Sequence, residues 1–223
     1  MTAISIGIVG GTGKLGEALA RRWLQAGYRV NIGSRDVTKA VATAAELNSN
    51  LAVNTTGSGS NRDVAANSDL IVVTVPFAAQ ESTLLDIKDV VAGKIVVDTT
   101  VPLVPPKVMR VQMPPEGCAA LKAQALLGDD VRMVSAFHSV AAHRLATDEK
   151  IRCDVMVFGD DKEARSEVVK LANAAGLRGI HAGVLANSVA AEALTSILIF
   201  INKNYSADGA GIEFTGNLTI PVE

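Results

Sequence analysis

Ile6-Gly7-Ile8-Val9-Gly10-Gly11-Thr12-Gly13-Lys14-Leu15-Gly16 is the stretch on which the reading of this chain turns. The apolar run 4–9 has the character of a buried strand, and it stops on glycines. From Lys14 the spacing becomes helical, with Leu15, Leu19 and Trp23 on one face. Gly11, Gly13 and Gly16 therefore form a G-x-G-x-x-G pattern between a strand and a helix. In such a turn Gly11 allows the tight bend, Gly13 lets backbone approach a pyrophosphate, and Gly16 lets helix and strand pack closely. The free N–H groups and dipole of the helix start favour a phosphate. Strand before and helix after are the context that makes the glycine pattern a dinucleotide site. A P-loop does not fit, because Lys14 is followed by Leu15 and the position that needs its first glycine holds Ile8.

At 223 residues the chain is long enough to bury a sizeable core. A net charge of -2 argues against general binding to nucleic acid or acidic membranes, so an anionic ligand must be held by local donors. Cys118 and Cys153 are isolated, with neither a C-x-x-C pair nor zinc-like histidine spacing, and are read as buried or free thiols. A strand starting by Ile4 leaves no room for a signal peptide. The longest apolar run, 194–201, contains Thr195 and Ser196 and is too short to span a bilayer. A soluble, cytoplasmic protein is expected.

Further strands are expected at 28–32, 51–53, 69–75, 94–98, 131–137 and 154–158, with a short edge element at 179–183. Helices are expected from Asp36 to about 47, at 63–67, from Pro76 to about 91, at 116–127, from a capping box at 160–163, and over 187–202. Residues 57–60 read as a turn, 99–115 as an extended connection with five prolines, and 138–150 as a polar loop. This alternation predicts an α/β fold, a doubly wound, mostly parallel Rossmann sheet with a small C-terminal helical part. Residues 1–183 are assigned to the nucleotide-binding domain, and 184–223 to a helical segment serving the substrate site and a dimer contact. In the last helix Val189, Ala193, Ile197 and Ile201 share a face, while Leu194, Leu198 and Phe200 widen it beyond one stripe. A core helix and a subunit interface both satisfy that pattern.

Cofactor choice is read at the end of the second strand, where NAD sites place an acid and NADP sites a positive group. The residues there are Gly33-Ser34-Arg35-Asp36-Val37-Thr38-Lys39. Ser34 offers a hydroxyl, Arg35 a planar fork and Lys39 a further charge, which favours NADP. Asp36 is better placed as the N-cap of the next helix.

Together, Gly10 to Gly16, then Gly33-Ser34-Arg35 with Lys39, resemble the NADPH-dependent coenzyme F420 reductases. The likeness continues through Thr74-Val75-Pro76, Ile95-Val96-Val97, Val134-Ser135-Ala136-Phe137-His138-Ser139, Thr147-Asp148-Glu149-Lys150, Gly159-Asp160-Asp161, Ala186-Asn187-Ser188 and Gly211-Ile212-Glu213-Phe214. The resemblance implies a homodimeric Rossmann enzyme that moves hydride between NADP and the deazaflavin F420. By position it implies Thr12, Gly13, Lys14 and Leu15 for the pyrophosphate, and Ser34, Arg35 and Lys39 for the 2′-phosphate. Phe77, Glu81, Leu103 and Ala142 would line the rest of the NADP channel, and His138, Val140 and Ala210 would face the deazaflavin. Phe77 replaces a common tryptophan, Ala141 a common proline, and Thr99-Thr100 a more proline-rich segment; the tail past Phe214 is longer.

Hydride transfer between two cofactors rests on proximity and stacking, so a sequence without a serine–histidine–acid set or a metal-ligand cluster suits it. His138 could stabilise charge developing on the deazaflavin, or could simply pack in its loop. His143 and His181 read as structural or solvated. An NADPH-dependent reductase of another acceptor (flavin, quinone or imine) and a non-catalytic NADP-binding sensor are the alternatives.

Overall fold

The strongly β-branched runs of the sequence become the centre of one sheet. The computed structural model describes residues 4–53 and 56–219. Its strands are β1 (Ser5–Val9), β2 (Arg29–Ser34), β3 (Thr56–Ser60), β4 (Leu70–Val73), β5 (Ile95–Asp98), β6 (Arg132–Ser135), β7 (Asp154–Gly159) and β8 (Arg178–His181). They lie in the order β3-β2-β1-β4-β5-β6-β7-β8. All pairings are parallel except β6 with β7, where Ser135 faces Phe158 in antiparallel register. The helices are α1 (Lys14–Gln25), α2 (Val37–Leu51), α3 (Asn61–Ala66), α4 (Phe77–Ile87), α5 (Ala119–Leu127), α6 (Ala142–Leu145), α7 (Lys162–Ala174) and α8 (Ser188–Tyr205).

Helices on both faces explain why β4 is apolar at every position. Leu70 and Val72 enter one core with Ile6, Ile8, Leu19 and Trp23, while Ile71 and Val73 enter the other with Leu84, Ile87 and Met133. Trp23 is fully buried, donates its indole N–H to the Leu171 carbonyl at 2.9 Å, and meets the Phe137 ring edge-on at 5.9 Å. It thereby joins α1 to α7 with its polar atom satisfied.

The third strand departs from expectation. Residues 51–53 are the end of α2 and its left-handed C-cap, Ala52, and the strand is Thr56–Ser60, where a turn was expected. As an edge strand β3 needs only β2 for a partner, so it carries no apolar alternation. A Cβ on Gly57 would stand 2.4 Å from Asn31 Oδ1, so the glycine there answers to its neighbouring strand and not to a turn. The loop 138–150 contains the single turn α6, too short to show helical periodicity and anchored by buried Leu145.

The C-terminal helix turns its apolar stripe outward in this chain. Together with a preceding 3-10 turn it spans Leu185–Tyr205, long and apolar enough by length and composition to cross a membrane. Yet Ser188, Ala191, Glu192, Ser196 and Leu198 are its buried residues, while Val189, Ile197 and Phe200 are exposed. Glu192 explains this facing. Its carboxyl oxygens accept from the N–H groups of Ala119 (2.7 Å) and Ala120 (3.1 Å) at the start of α5, docking the acid on a helix N-terminus. Beyond α8 the chain returns to β7. The Asp154 N–H donates to the Ile212 carbonyl at 2.7 Å, and buried Asp154 accepts from Arg178 and from the Phe214 N–H. The tail past Phe214 includes 220–223, which lie outside the described residues.

Candidate functional site

The turn between β1 and α1 is tied down on its inner side and open on its outer side. Gly10 takes a left-handed φ of 76°. The Gly11 N–H donates to the Gly33 carbonyl at 2.9 Å, and that of Gly13 to the Gly10 carbonyl at 3.0 Å. The left-handed residue is therefore Gly10, while Gly11 is a glycine because a Cβ there would stand 2.9 Å from the Ile8 carbonyl. Gly16 is more confined still, at 2.6 Å from Thr74 Oγ1 and 2.8 Å from the Gly11 Cα. At Gly13, the exposed N-cap of α1, a Cβ would lie no closer than 3.4 Å to its neighbours, and no side chain caps the helix there. The first N–H groups of α1 thus face outward beside exposed Lys14 and half-buried Leu15, a cradle that suits a pyrophosphate.

The end of β2 closes on this turn. Ser34 is buried, with its Oγ 3.4 Å from Thr12 Oγ1 and accepting from the Asp36 N–H at 3.1 Å. Arg35 and Lys39 are exposed behind it. Asp36 caps α2, accepting from the Lys39 N–H at 3.3 Å, and its other oxygen lies 4.0 Å from Lys39 Nζ. Its charge is thus directed into the helix start.

The remaining candidates form two further groups. Phe77 opens α4, and Lys122 from α5 stands 5.6 Å over its ring while pairing with Glu81 at 2.8 Å. Leu103 is half-buried in the loop after β5. On the other flank, Ala142 and Lys14 both border a cleft of about 400 Å³ between α1, α2 and α6. A Cβ on Gly209 would stand 2.8 Å from Ala141 Cβ, so the returning tail carries Ala210 to the 138–142 loop. Val140 is partly buried against the core beneath that loop.

His138 is buried. Phe137 before it has a positive φ of 68°, unusual for so bulky a residue, and turns the chain across the end of β6. His138 Nε2 lies 2.8 Å from Ser135 Oγ, its carbonyl accepts from Thr195 Oγ1 at 3.0 Å, and its ring sits 6.4 Å from that of Phe158. Burial holds its pKa down to about 4, so the imidazole is neutral at physiological pH. It can offer a hydrogen bond but no charge. Both cysteines are free and buried, Cys118 beside Ser188 and Cys153 beside the Ser139 carbonyl.

Residues 5–102 match the family model described as NADP oxidoreductase, coenzyme F420-dependent. The chain is 36% identical to the F420-dependent NADP reductase of Methanocaldococcus jannaschii over 97% of its own length and 100% of that protein's. It is 35% identical to the reductase of the same name from Methanothermobacter thermautotrophicus, with 95% of each chain covered. The chain belongs to the F420-dependent NADP reductase family. A solved structure from Arthrobacter sp. FB24, titled as a candidate F420-dependent NADP-reductase, shares the fold with a TM-score of 0.83. That match has 21% identity and covers 96% of this chain and 100% of the other.

Within the family frame, two parts of the site escaped the sequence reading. Lys122 lies 41 positions from Glu81 and carries no motif; only the packing of α4 on α5 brings it over Phe77. Asn61 directly follows β3, and its Oδ1 accepts from the Gly10 N–H at 3.1 Å.

Proposed function

We propose that this protein is an NADP-dependent oxidoreductase that transfers a hydride between NADP(H) and the deazaflavin coenzyme F420. The observation that carries the reading is the junction of Thr12 and Ser34 at the mouth of an uncapped helix start, with Arg35 and Lys39 exposed behind it. Gly13 leaves room there for a pyrophosphate, and Ser34 with the two cations suits a 2′-phosphate. Bound NADP supplies the nicotinamide carbon that carries the hydride. The protein's own work is then positioning, with the acceptor ring held by the 138–142 loop and by Ala210 on the returning tail. Neutral His138 stiffens that loop through Ser135 and Thr195 and adds no net charge beside the transferring hydride.

Stopped-flow absorbance with NADPH against F420, FMN and FAD tests the assignment. Reduction of F420 alone is expected, with NADPH preferred over NADH. Because a hydrogen bond to a charged group contributes about 1.5–3 kcal/mol, Arg35→Ala should erode that preference by about 10- to 150-fold and leave NADH use nearly untouched. A wild type that reduces FMN and not F420, or an Arg35→Ala enzyme that loses both dinucleotides equally, overturns the reading.

The proposal includes a homodimer that covers the outward face of α8. Ile197 and Phe200 are 46% and 51% exposed. Ser196 Oγ donates to the Arg110 carbonyl at 3.4 Å, which sets exposed Met109 and Val111 beside the same helix. Exposed apolar side chains gathered on and beside one helix support a partner there. Ile197 makes little of the monomer's core, so Ile197→Asp should give folded monomer where the wild type sediments as a dimer at micromolar concentration. A monomeric wild type would refute the dimer.

A further inference from the structure

We infer that Asn61 is a positioning residue that ties the phosphate turn to the end of β2, and that its neutral amide helps to set the preference for NADP over NAD. The inference rests on the NADP reading above. Asn61 is buried at the first position of α3, and the register of β2 with β3 pairs Ser34 with Ser60. Asn61 is thus one residue past the strand partner of Ser34. Its Oδ1 accepts from the Gly10 N–H at 3.1 Å, beside the bond from the Gly11 N–H to the Gly33 carbonyl. A Cβ on Gly33 would stand 3.1 Å from Asn61 Oδ1 and 3.2 Å from its Cα, so Asn61 lies directly against the strand that ends in Ser34.

Two consecutive N–H groups of the turn are therefore held from the β2 side, one by backbone and one by the Asn61 side chain. Without the second bond the left-handed Gly10 loses its tether, and the cradle for the pyrophosphate loses its fixed distance from Ser34. The chemistry of the amide matters as well. A backbone N–H can only donate, so Oδ1 must face it, and the amide meets that demand with no charge. An aspartate would meet the same demand with a negative charge beside the 2′-phosphate end. An acid in that neighbourhood is what NAD-selective sites use at the end of their second strand.

The test compares KM and kcat for NADPH and NADH, with F420 as acceptor, in wild type, Asn61→Ala and Asn61→Asp. Asn61→Ala removes the tether that both dinucleotides need, so both KM values should rise about 10-fold while kcat stays within about 2-fold. Asn61→Asp keeps the tether, so its NADH KM should stay within about 3-fold of wild type while its NADPH KM rises about 10-fold or more. A role confined to folding would move both dinucleotides together in the aspartate variant as well. If Asn61→Ala does not fold, Asn61→Asp decides alone. A wild type that prefers NADPH, with an unchanged NADPH-to-NADH ratio in Asn61→Asp or unchanged KM values in Asn61→Ala, overturns this inference and spares the function. A wild type that binds neither dinucleotide overturns both.

Discussion

A single methyl group at Gly16 is expected to weaken NADPH binding by at least about 100-fold and to destabilise the fold by about 1–3 kcal/mol. The new Cβ would stand 2.8 Å from the Gly11 Cα and 2.6 Å from Thr74 Oγ1. Thr74 also donates that hydroxyl to the Val9 carbonyl at 3.1 Å, so neither neighbour yields without disturbing the turn. Alanine's better helix propensity returns at most about 1 kcal/mol, less than the clash costs. The start of α1 must move off β1, and its N–H groups move with it. Gly13→Ala provides the contrast. Its Cβ would meet nothing nearer than 3.4 Å, so stability should change by no more than about 1 kcal/mol, yet the methyl occupies the path by which a pyrophosphate approaches. Thermal unfolding and NADPH titration of the two variants separate these effects. If Gly13→Ala binds NADPH as the wild type does, the phosphate has been placed wrongly; if Gly16→Ala matches wild type in both measurements, the close packing is not required.

The second large effect concerns stability against pH, where two buried groups oppose each other. Burial raises Glu192 from 4.5 to about 7 despite its two N–H donors, and nearby Asp98 pushes the same way. Burial lowers His138 from 6.5 to about 4. Folded Glu192 holds its proton more tightly than the unfolded chain does. Its contribution is therefore fully present below pH 4.5 and lost as pH rises through 7. Folded His138 holds its proton less tightly, so its contribution is present above pH 6.5 and lost as pH falls through 4. Each shift corresponds to about 3 kcal/mol, and the two slopes cancel between about pH 4.5 and 6.5. Relative to wild type, Glu192→Gln should gain about 3 kcal/mol as pH rises from 4.5 to 7, and His138→Gln should lose a similar amount from 4 to 6.5. Taking the difference from wild type removes the carboxylates that do not interact with either group; Asp98, which does interact with Glu192, remains in that difference. Denaturant unfolding at a series of pH values reads both slopes, and variants that stay parallel to wild type would contradict the burial argument.

What the sequence shows and what it hides divide on physical grounds. The inner strands are legible because burial on both faces demands continuous apolar runs, as at 70–73 and 95–97. Asp36 is legible as a cap because an N-cap bond spans only three residues, here to the Lys39 N–H. The capping box expected at 160–163 falls one residue early: Asp161 is the cap, accepting from the Ala164 N–H, and Asp160 accepts from the Leu185 N–H. β3 is not legible, since Thr56, Gly57 and Ser58 show no alternation and Gly57 is a glycine because Asn31 stands across the strand pair. The facing of α8 is hidden for a related reason. Helical spacing marks Val189 and Ile197 as one stripe, but which face turns inward is decided by two N–H groups of α5, more than 70 positions away, that receive Glu192. The burial of His138 likewise depends on Phe158 and Thr195 from distant elements.

The bond from Trp23 to Leu171 has a consequence for the order in which the chain is made. The two residues are 148 positions apart, and α1 is synthesised before α7. At about 5–20 residues per second, roughly 7–30 seconds of translation pass between them. Through that interval the indole has neither its carbonyl acceptor nor the α7 surface that covers it, however early the strands around Ile8 pair. Trp23 is also the sole tryptophan of this sequence, so its fluorescence reports when α7 closes over α1.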